Sequence, residues 1–214
     1  MFGTISLEKG EIMANIFLQL GLTLLVAYII GSIPTGYLIV KTKTGDDIRT
    51  IGSGSTGATN VKRVLGKKWF FIVLLLDAFK GALPVILATL FVTVGKNIGL
   101  APVIAAVSVI IGHSKSCFLG FKGGKSVASG VGTILALNFL VGVIIAVIWG
   151  TITYTTKYVS VGSIIALLIS PVLMFLFKAP IAYVCYCAIG AIYIVYLHRE
   201  NIKRLIAGNE NKVR

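Results

Sequence analysis

Apolar residues run through this chain in long blocks, and three short polar stretches, at 41–68, 113–126 and 198–214, interrupt them. The first block, residues 16–40 (IFLQLGLTLLVAYIIGSIPTGYLIV), is long enough to cross a ~30 Å hydrocarbon core at about 1.5 Å per residue. It predicts a spanning helix closed by Lys41 and Lys43. Residues 69–95, opened by Trp69, predict a second span and 98–112 a shorter third, with Lys96 and Asn97 between them. From Ser126 to Leu197 the chain is nearly continuous apolar sequence, broken weakly at Asn138, at Tyr154 to Lys157 and at Lys178 to Pro180. Those breaks predict four more helices, over 127–138, 139–155, 160–177 and 180–197.

The pattern therefore predicts an all-α, polytopic integral membrane protein of about seven transmembrane helices, some of them short. We read it as a single domain over 1–214 with a polar N-terminal extension at 1–14. The helix at 127–138 is too short to span unless it sits in a thinned or half-buried position, so five or six spans also satisfy the pattern. Composition agrees: 57% of residues are hydrophobic and 13% charged, against roughly 25% charged in globular proteins. The formal net charge is +13, and most Lys and Arg side chains lie in the three polar stretches. The positive-inside rule alone accounts for such clustering and puts these stretches in the cytoplasm, with the N-terminus outside and the C-terminus inside. A sharper reading is that the stretches share one face and build an anion site. Glu8, Lys9 and Glu11 give no basic region ahead of an apolar run, so no signal peptide is expected; Met1 and Met13 both remain possible starts. Three cysteines, Cys117, Cys185 and Cys187, imply neither a disulfide framework nor a zinc site.

Candidate chemistry sits in the polar stretches. In DIRTIGSGSTGATNVKRVLGKK, backbone N–H groups freed by Gly52, Gly54 and Gly57 can turn inward on an oxyanion. The hydroxyls of Ser53, Ser55, Thr56 and Thr59 can join them, with Asn60, Lys62 and Arg63 behind; a flexible solvated linker is the plain alternative. GFKGGKSVASG resembles a nucleotide-binding phosphate loop, but Gly120 stands one residue too close to Gly124, Lys125 and Ser126 for that spacing. Its own chemistry still suits phosphate: Gly123 and Gly124 permit close backbone approach, Lys125 adds a point charge, and Ser126 opens a helix whose N-terminus favours anions. Lys122 can simply snorkel, and His113 can be a satisfied structural residue. In HRENIKRLIAGNENK, Ile202, Leu205 and Ile206 form one face and His198, Asn201 and Arg204 another, which an interfacial anchor also explains. Asp77 and Lys80 share a face of the second span, either lining a polar cavity or stitching the bundle as an ion pair.

The absences narrow the chemistry. No His-x-x-x-x-Asp follows His113 or His198, which excludes a His-Asp general-base acyl transfer, and no Asp-rich motif offers magnesium ligands; neither metal nor other cofactor is expected. Glu200 and Glu210 are the only Glu residues near the polar stretches, and Asp46 and Asp47 stand apart from the Gly-rich core, which argues against a carboxylate base.

Together GSGSTGATNVKR, GHSKSCFLGFKGGKSVASG and HRENIKRLIAGNE, with LDAFKGALP, resemble the bacterial acyl-phosphate:glycerol-3-phosphate 1-acyltransferases of the PlsY type. The resemblance runs from residue 31 to 210. Departures are Ser55, where the family commonly has Asn, Lys115 and Ser116 in place of an aromatic-proline pair, and the small changes at Ser126 and Ser129. The resemblance implies seven helices in a bacterial plasma membrane with the motifs at the cytoplasmic face. It implies transfer of an acyl group from acyl phosphate to the 1-hydroxyl of glycerol 3-phosphate, giving lysophosphatidic acid and phosphate, with membrane lipid and no nucleic acid as partner. Carried onto this sequence, the functional positions are Ser53 and Arg63, then Gly123, Gly124 and Lys125, then His198 and Asn201. Gly52, Gly54, Thr59, Asn60 and Ser126 are the further substrate-binding candidates. An acyl phosphate is an activated anhydride, so placing the hydroxyl and offsetting charge can suffice. Proton acceptance by the leaving phosphate, by His198, or a Ser53 acyl-enzyme are the three routes weighed, the last having no neighbouring base. A transporter of an organic phosphate is the rival class, but the three motifs differ and show no inverted repeat; a lipid-binding scaffold would need the charges but not Ser53 or Asn201.

Overall fold

Pro34 decides how the first apolar block is used. Its ring removes a backbone donor and disfavours helical geometry at Ile33. In the computed structural model, which describes residues 9–213, the block is two helices, α1 (Lys9–Ser32) and α2 (Thr35–Thr44). The helix expected over 16–40 is thus interrupted at Ile33 and Pro34, although the two pieces still form one apolar span, Gly10–Thr44. It also starts earlier: the expected polar extension is helical from Lys9, and residues 1–8 lie outside the described residues. The break is not left unsatisfied in the apolar surroundings. Lys80 Nζ donates to Ile33 O at 2.7 Å, and Ser116 Oγ donates to Ser32 O at 2.6 Å. Ser116, one of the departures from the family pattern, therefore fastens the second polar stretch to the first helix.

Later blocks fold close to where the hydropathy pattern places them, as α4 (Lys67–Phe91), α5 (Leu100–Ser114), α6 (Val127–Leu137), α7 (Phe139–Thr156), α8 (Val159–Leu176) and α9 (Ile181–Leu197). The polar stretches hold two further helices, α3 (Ala58–Leu65), which the pattern did not define, and α10 (Arg199–Ile206), where the tail reads as amphipathic. Among the described residues, five segments are long and apolar enough to cross a membrane, and α9 extended by α10 makes a sixth. At 11 residues α6 reaches only about 16 Å, roughly half the hydrocarbon core. The turn that follows is closed rather than frayed: Asn138 Oδ1 accepts from Val141 N at 3.1 Å, capping α7.

Helix contacts are made through small residues, as expected where lipid gives no hydrophobic drive between helices. Gly81 of α4 lies against the Ser129 backbone of α6, and Gly132 of α6 against the Ala78 backbone of α4. Gly31 and Gly112 bring α1 and α5 together in the same way. The face carrying the polar stretches has its own small core, in which Val40, Ile48, Ala58, Val61 and Val73 are buried and fix α2 and α3 on the first turns of α4.

Gly81→Val should lower the thermal midpoint in detergent, because overpacking a closed contact costs about 1–3 kcal/mol or more. Gly150→Ala, at a position with nothing within 4 Å, should leave the midpoint unchanged or slightly raised. Equal midpoints for the two variants would show that the α4–α6 contact is not tight.

Candidate active site

Asn60 shapes the first polar stretch. It is 1% exposed, and its Nδ2 donates to Ile51 O at 2.9 Å, to Ser55 O at 3.0 Å and to Ile48 O at 3.3 Å. Its Oδ1 accepts from Ser53 N at 3.2 Å and from Arg63 Nη1 at 3.3 Å. One amide thus rolls residues 48–55 onto the start of α3 and turns the Arg63 guanidinium inward. Gly52 and Gly54 adopt left-handed backbone (φ 59° and 66°), and a Cβ on Gly52 would strike Asn60 Oδ1. Ahead of this loop Asp47 accepts from Arg49 N at 2.9 Å and pairs with the Arg49 guanidinium, which holds its carboxyl down at about 2.

In the second stretch, Gly123 and Gly124 pack where side chains would collide with His113, and Gly124 N donates to His113 O at 3.1 Å. Ser126 has left-handed backbone (φ 57°), is fully buried and donates through Oγ to Ile110 O at 3.0 Å, so its hydroxyl anchors the start of α6. Between them Lys125 points inward, and its Nζ donates to Asn201 Oδ1. Burial pushes the Lys125 ammonium down to about 8; repulsion from Arg204 and Arg63 adds to this, and Glu210 opposes it.

The tail presents its polar face to the protein. Asn201 is 8% exposed and His198 3%, so the start of α10 turns these two side chains inward, whereas Ile206 at its end is 84% exposed. His198 Nδ1 lies 2.8 Å from Ile194 O. A carbonyl can only accept, so Nδ1 carries the proton and Nε2 keeps its lone pair. Glu210 accepts from Asn201 Nδ2 at 2.5 Å, Arg204 Nε at 2.7 Å and Ser160 Oγ at 2.9 Å. Burial alone would raise its carboxyl, but these hydrogen bonds and the Arg204 charge outweigh it and hold it below the usual range.

All three stretches meet around one cleft. Its rim carries Ser53, Thr59, Asn60, Arg63, Lys125, Ser126, His198, Asn201, Arg204 and Glu210, and its flank is apolar, with Phe70, Leu74, Val127, Trp149 and Val159. Of the residues singled out in the sequence, Gly52, Gly54, Gly123 and Gly124 shape the loops without lining the cleft, and the Asn60 amide is wholly engaged within its own loop. Asp77 lines the cleft and Lys80 stands behind it, 2.8 Å from Asp77 Oδ1. That contact is an ion pair without hydrogen-bond alignment, since the Lys80 ammonium is aimed at Ile33 O.

Sequence reasoning missed Glu210, Arg204, Ser160, Trp149 and His113 as cleft residues. Glu210 is near the polar stretches in sequence but carries no sign of a site role there; a turn at Gly208 (φ 71°) folds it back onto Asn201. Ser160 and Trp149 lie in apolar sequence, where only the polar break at Tyr154 to Lys157 hints that the chain returns to this face. No group of three or more His, Cys, Asp or Glu side chains among the described residues is placed to hold a metal ion.

A helical membrane bundle whose cationic cleft opens beside an apolar flank is the arrangement of a membrane protein suited to phosphate-bearing, lipid-linked molecules. Comparison with known proteins makes this specific. The family model described as glycerol-3-phosphate acyltransferase matches residues 21–208, and the chain belongs to that family. A glycerol-3-phosphate acyltransferase of Nostoc sp. is 41% identical over 206 residues, covering 90% of this chain and 91% of the relative. One of Thermotoga petrophila is 43% identical over 189 residues, covering 88% and 94%. The crystal structure of PlsY, an integral membrane glycerol 3-phosphate acyltransferase, in its glycerol 3-phosphate form superposes with a TM-score of 0.85 at 35% identity, covering 91% of this chain and 96% of that one. The lysophosphatidic acid form gives 0.83 at 34% identity, covering 91% and 95%.

Asn60→Ala should cost about 2–3 kcal/mol, because loop carbonyls and Ser53 N lose buried partners together. Thermal unfolding in detergent should show the drop, and limited proteolysis should cut first within 48–57. A variant with wild-type stability would show that the loop is held by other contacts.

Proposed function

We propose that this acyltransferase takes its acyl group from acyl phosphate and delivers it to the 1-hydroxyl of glycerol 3-phosphate, in a bacterial cytoplasmic membrane with the cleft facing the cytoplasm. The observation that carries the reading is the pairing, in one cleft, of Arg63, Lys125 and Arg204 with an apolar flank on α4, α6, α7 and α8. Two phosphates and one long chain need that combination. The excess of Lys and Arg in the polar stretches supports the cytoplasmic assignment. The chain acts as a single catalytic unit, its three motif segments contributing to one site.

Lys125, braced on Asn201, holds the phosphate of glycerol 3-phosphate at the polar rim. Arg63, beside Phe70 and Leu74, holds the phosphate of the donor whose chain follows the apolar flank. Ser53, Asn201 and His198 orient the glycerol, with the His198 Nε2 lone pair available to accept from a hydroxyl. Ser126 and the Gly123–Gly124 turn keep the α6 N-terminus at the anion, and the Gly52, Gly54 and Thr59 segment closes the opposite side. The glycerol oxygen forms a bond to the acyl carbon, the acyl–phosphate bond breaks, and the departing phosphate takes the hydroxyl proton. Both oxygens of Glu210 are engaged by protein donors, which supports a binding rather than a proton-accepting role for it.

Formation of lysophosphatidic acid in detergent micelles should require glycerol 3-phosphate and acyl phosphate, with phosphate released in step, and should exceed its formation from acyl-CoA or acyl-carrier protein; preference for either thioester would overturn the donor. His198→Gln should raise KM for glycerol 3-phosphate while keeping turnover at saturation near normal. A collapse of kcat at unchanged KM would instead make His198 the base. Because Lys125 titrates near 8, its charge is present below that pH and lost as pH rises through it. The logarithm of kcat/KM for glycerol 3-phosphate should then fall above pH 8 with a slope of about −1. A flat profile to pH 10 would show that burial does not lower the Lys125 ammonium, and an unchanged KM for glycerol 3-phosphate in Lys125→Met would remove it as the anchor.

A further inference from the structure

Behind the glycine turn stands His113 of α5, 6% exposed, which has no part in the transfer chemistry described above. Three parts of the cleft converge on it. From the loop, Gly124 N donates to its carbonyl at 3.1 Å, a Cβ on Gly123 would strike that carbonyl, and a Cβ on Gly124 would strike its ring at Nε2. From α6, Ser129 Oγ shares a 2.7 Å hydrogen bond with Nδ1. From α4, Asp77 Oδ1 stands 3.9 Å from the same nitrogen. The imidazole is thus a wedge with one edge on the helices and the other on the loop.

Two adjacent glycines have little conformational preference of their own, so something outside the loop must set its path. His113 is the side chain against which Gly124 rests, and Lys125 is the next residue. A displacement of the Gly124 backbone carries Lys125 Nζ away from Asn201, its partner across the cleft.

We propose that His113 is a positioning residue for Lys125: its ring fixes the height of the Gly123–Gly124 turn and thereby the reach of the ammonium to the phosphate of glycerol 3-phosphate. This rests on the reading that Lys125 anchors that phosphate. The Gly124 site has no room for a Cβ because the ring occupies it, so the two positions are coupled. Ser129 acts one step further back, holding the ring through its hydrogen bond to Nδ1.

The test compares wild type, His113→Ala, His113→Gln, Gly124→Ala and the His113→Ala/Gly124→Ala double variant, purified in detergent. The readouts are kcat and KM for glycerol 3-phosphate at saturating acyl phosphate, the thermal midpoint, and the rise in midpoint on adding glycerol 3-phosphate without donor. His113→Ala should raise KM about tenfold to a hundredfold, the scale expected for an ångström of misplacement. His113→Gln, which keeps a polar group for Ser129, should lie between it and wild type. Gly124→Ala should be damaging alone but nearly silent in the His113→Ala background, where the atom it strikes is gone. A role in folding alone would lower the midpoint and leave KM of the folded enzyme unchanged. The proposal is overturned if folded His113→Ala keeps KM within about twofold of wild type, or if Gly124→Ala is equally damaging in both backgrounds. The donor-free midpoint separates this result from the donor assignment. A wild type that is stabilised by glycerol 3-phosphate but inactive with acyl phosphate overturns the donor reading, and loss of that stabilisation in His113→Ala still supports the wedge.

Discussion

The Glu210 carboxylate is the contact on which the cleft depends. It accepts hydrogen bonds from Asn201 and Arg204 of the tail and from Ser160 at the start of α8, and Asn201 in turn accepts from Lys125. Second stretch, tail and α8 are thereby joined through one anion in a chain with an excess of thirteen positive charges. The cations around it would otherwise repel each other across a poorly hydrated space. Tail residues beyond Glu210 extend the same junction, with Val213 N donating to Lys157 O at 2.8 Å and the Lys212 ammonium over the Tyr158 ring.

The compensation is partial by construction. Arg63, Lys125 and Arg204 share the cleft with the carboxylates of Glu210 and Asp77, and Asp77 is already matched by Lys80 from behind. The cleft therefore keeps a positive field before any substrate arrives, which draws in anions and is preorganised for charge that develops on a departing phosphate. Neutral groups supply the shape. Asn60 and Ser126 direct their polar atoms to the backbone, and Ser116 closes the gap at Pro34.

Much of this was legible in the sequence because membrane helices are dictated by hydropathy and punctuation. The breaks at Asn138, at Tyr154 to Lys157 and at Lys178 to Pro180 fall within a few residues of the ends of α6, α7 and α8. The interruption at Pro34 was harder to place, since the residues around it are as apolar as the rest of the block and only the missing donor marks it. Helix α3 was hidden by glycine and threonine ahead of it, residues that suggest a linker until Asn60 gathers them. Among site residues, those in ordered motifs could be named. His113 was ambiguous because one histidine at a helix end looks the same whether it braces a loop or fills space. Glu210 depended on a left-handed glycine turn whose direction sequence does not encode.

Helix α6 has a consequence for the membrane itself. By length it covers only about half of a ~30 Å core before its end at Asn138, and Phe139 and Leu140, which begin the return, are 69% and 58% exposed. Lipid tails beside this turn meet aromatic and aliphatic side chains at a level where neighbouring helices still present their flanks, so the protein's apolar perimeter is uneven in height. A bilayer accommodates such a contour by tilting and compressing its chains locally, at fractions of a kcal/mol per ångström. The leaflet on that side is therefore part of the scaffold, and its thickness and fluidity act on the helix pair that carries Trp149 and Ser126 to the cleft.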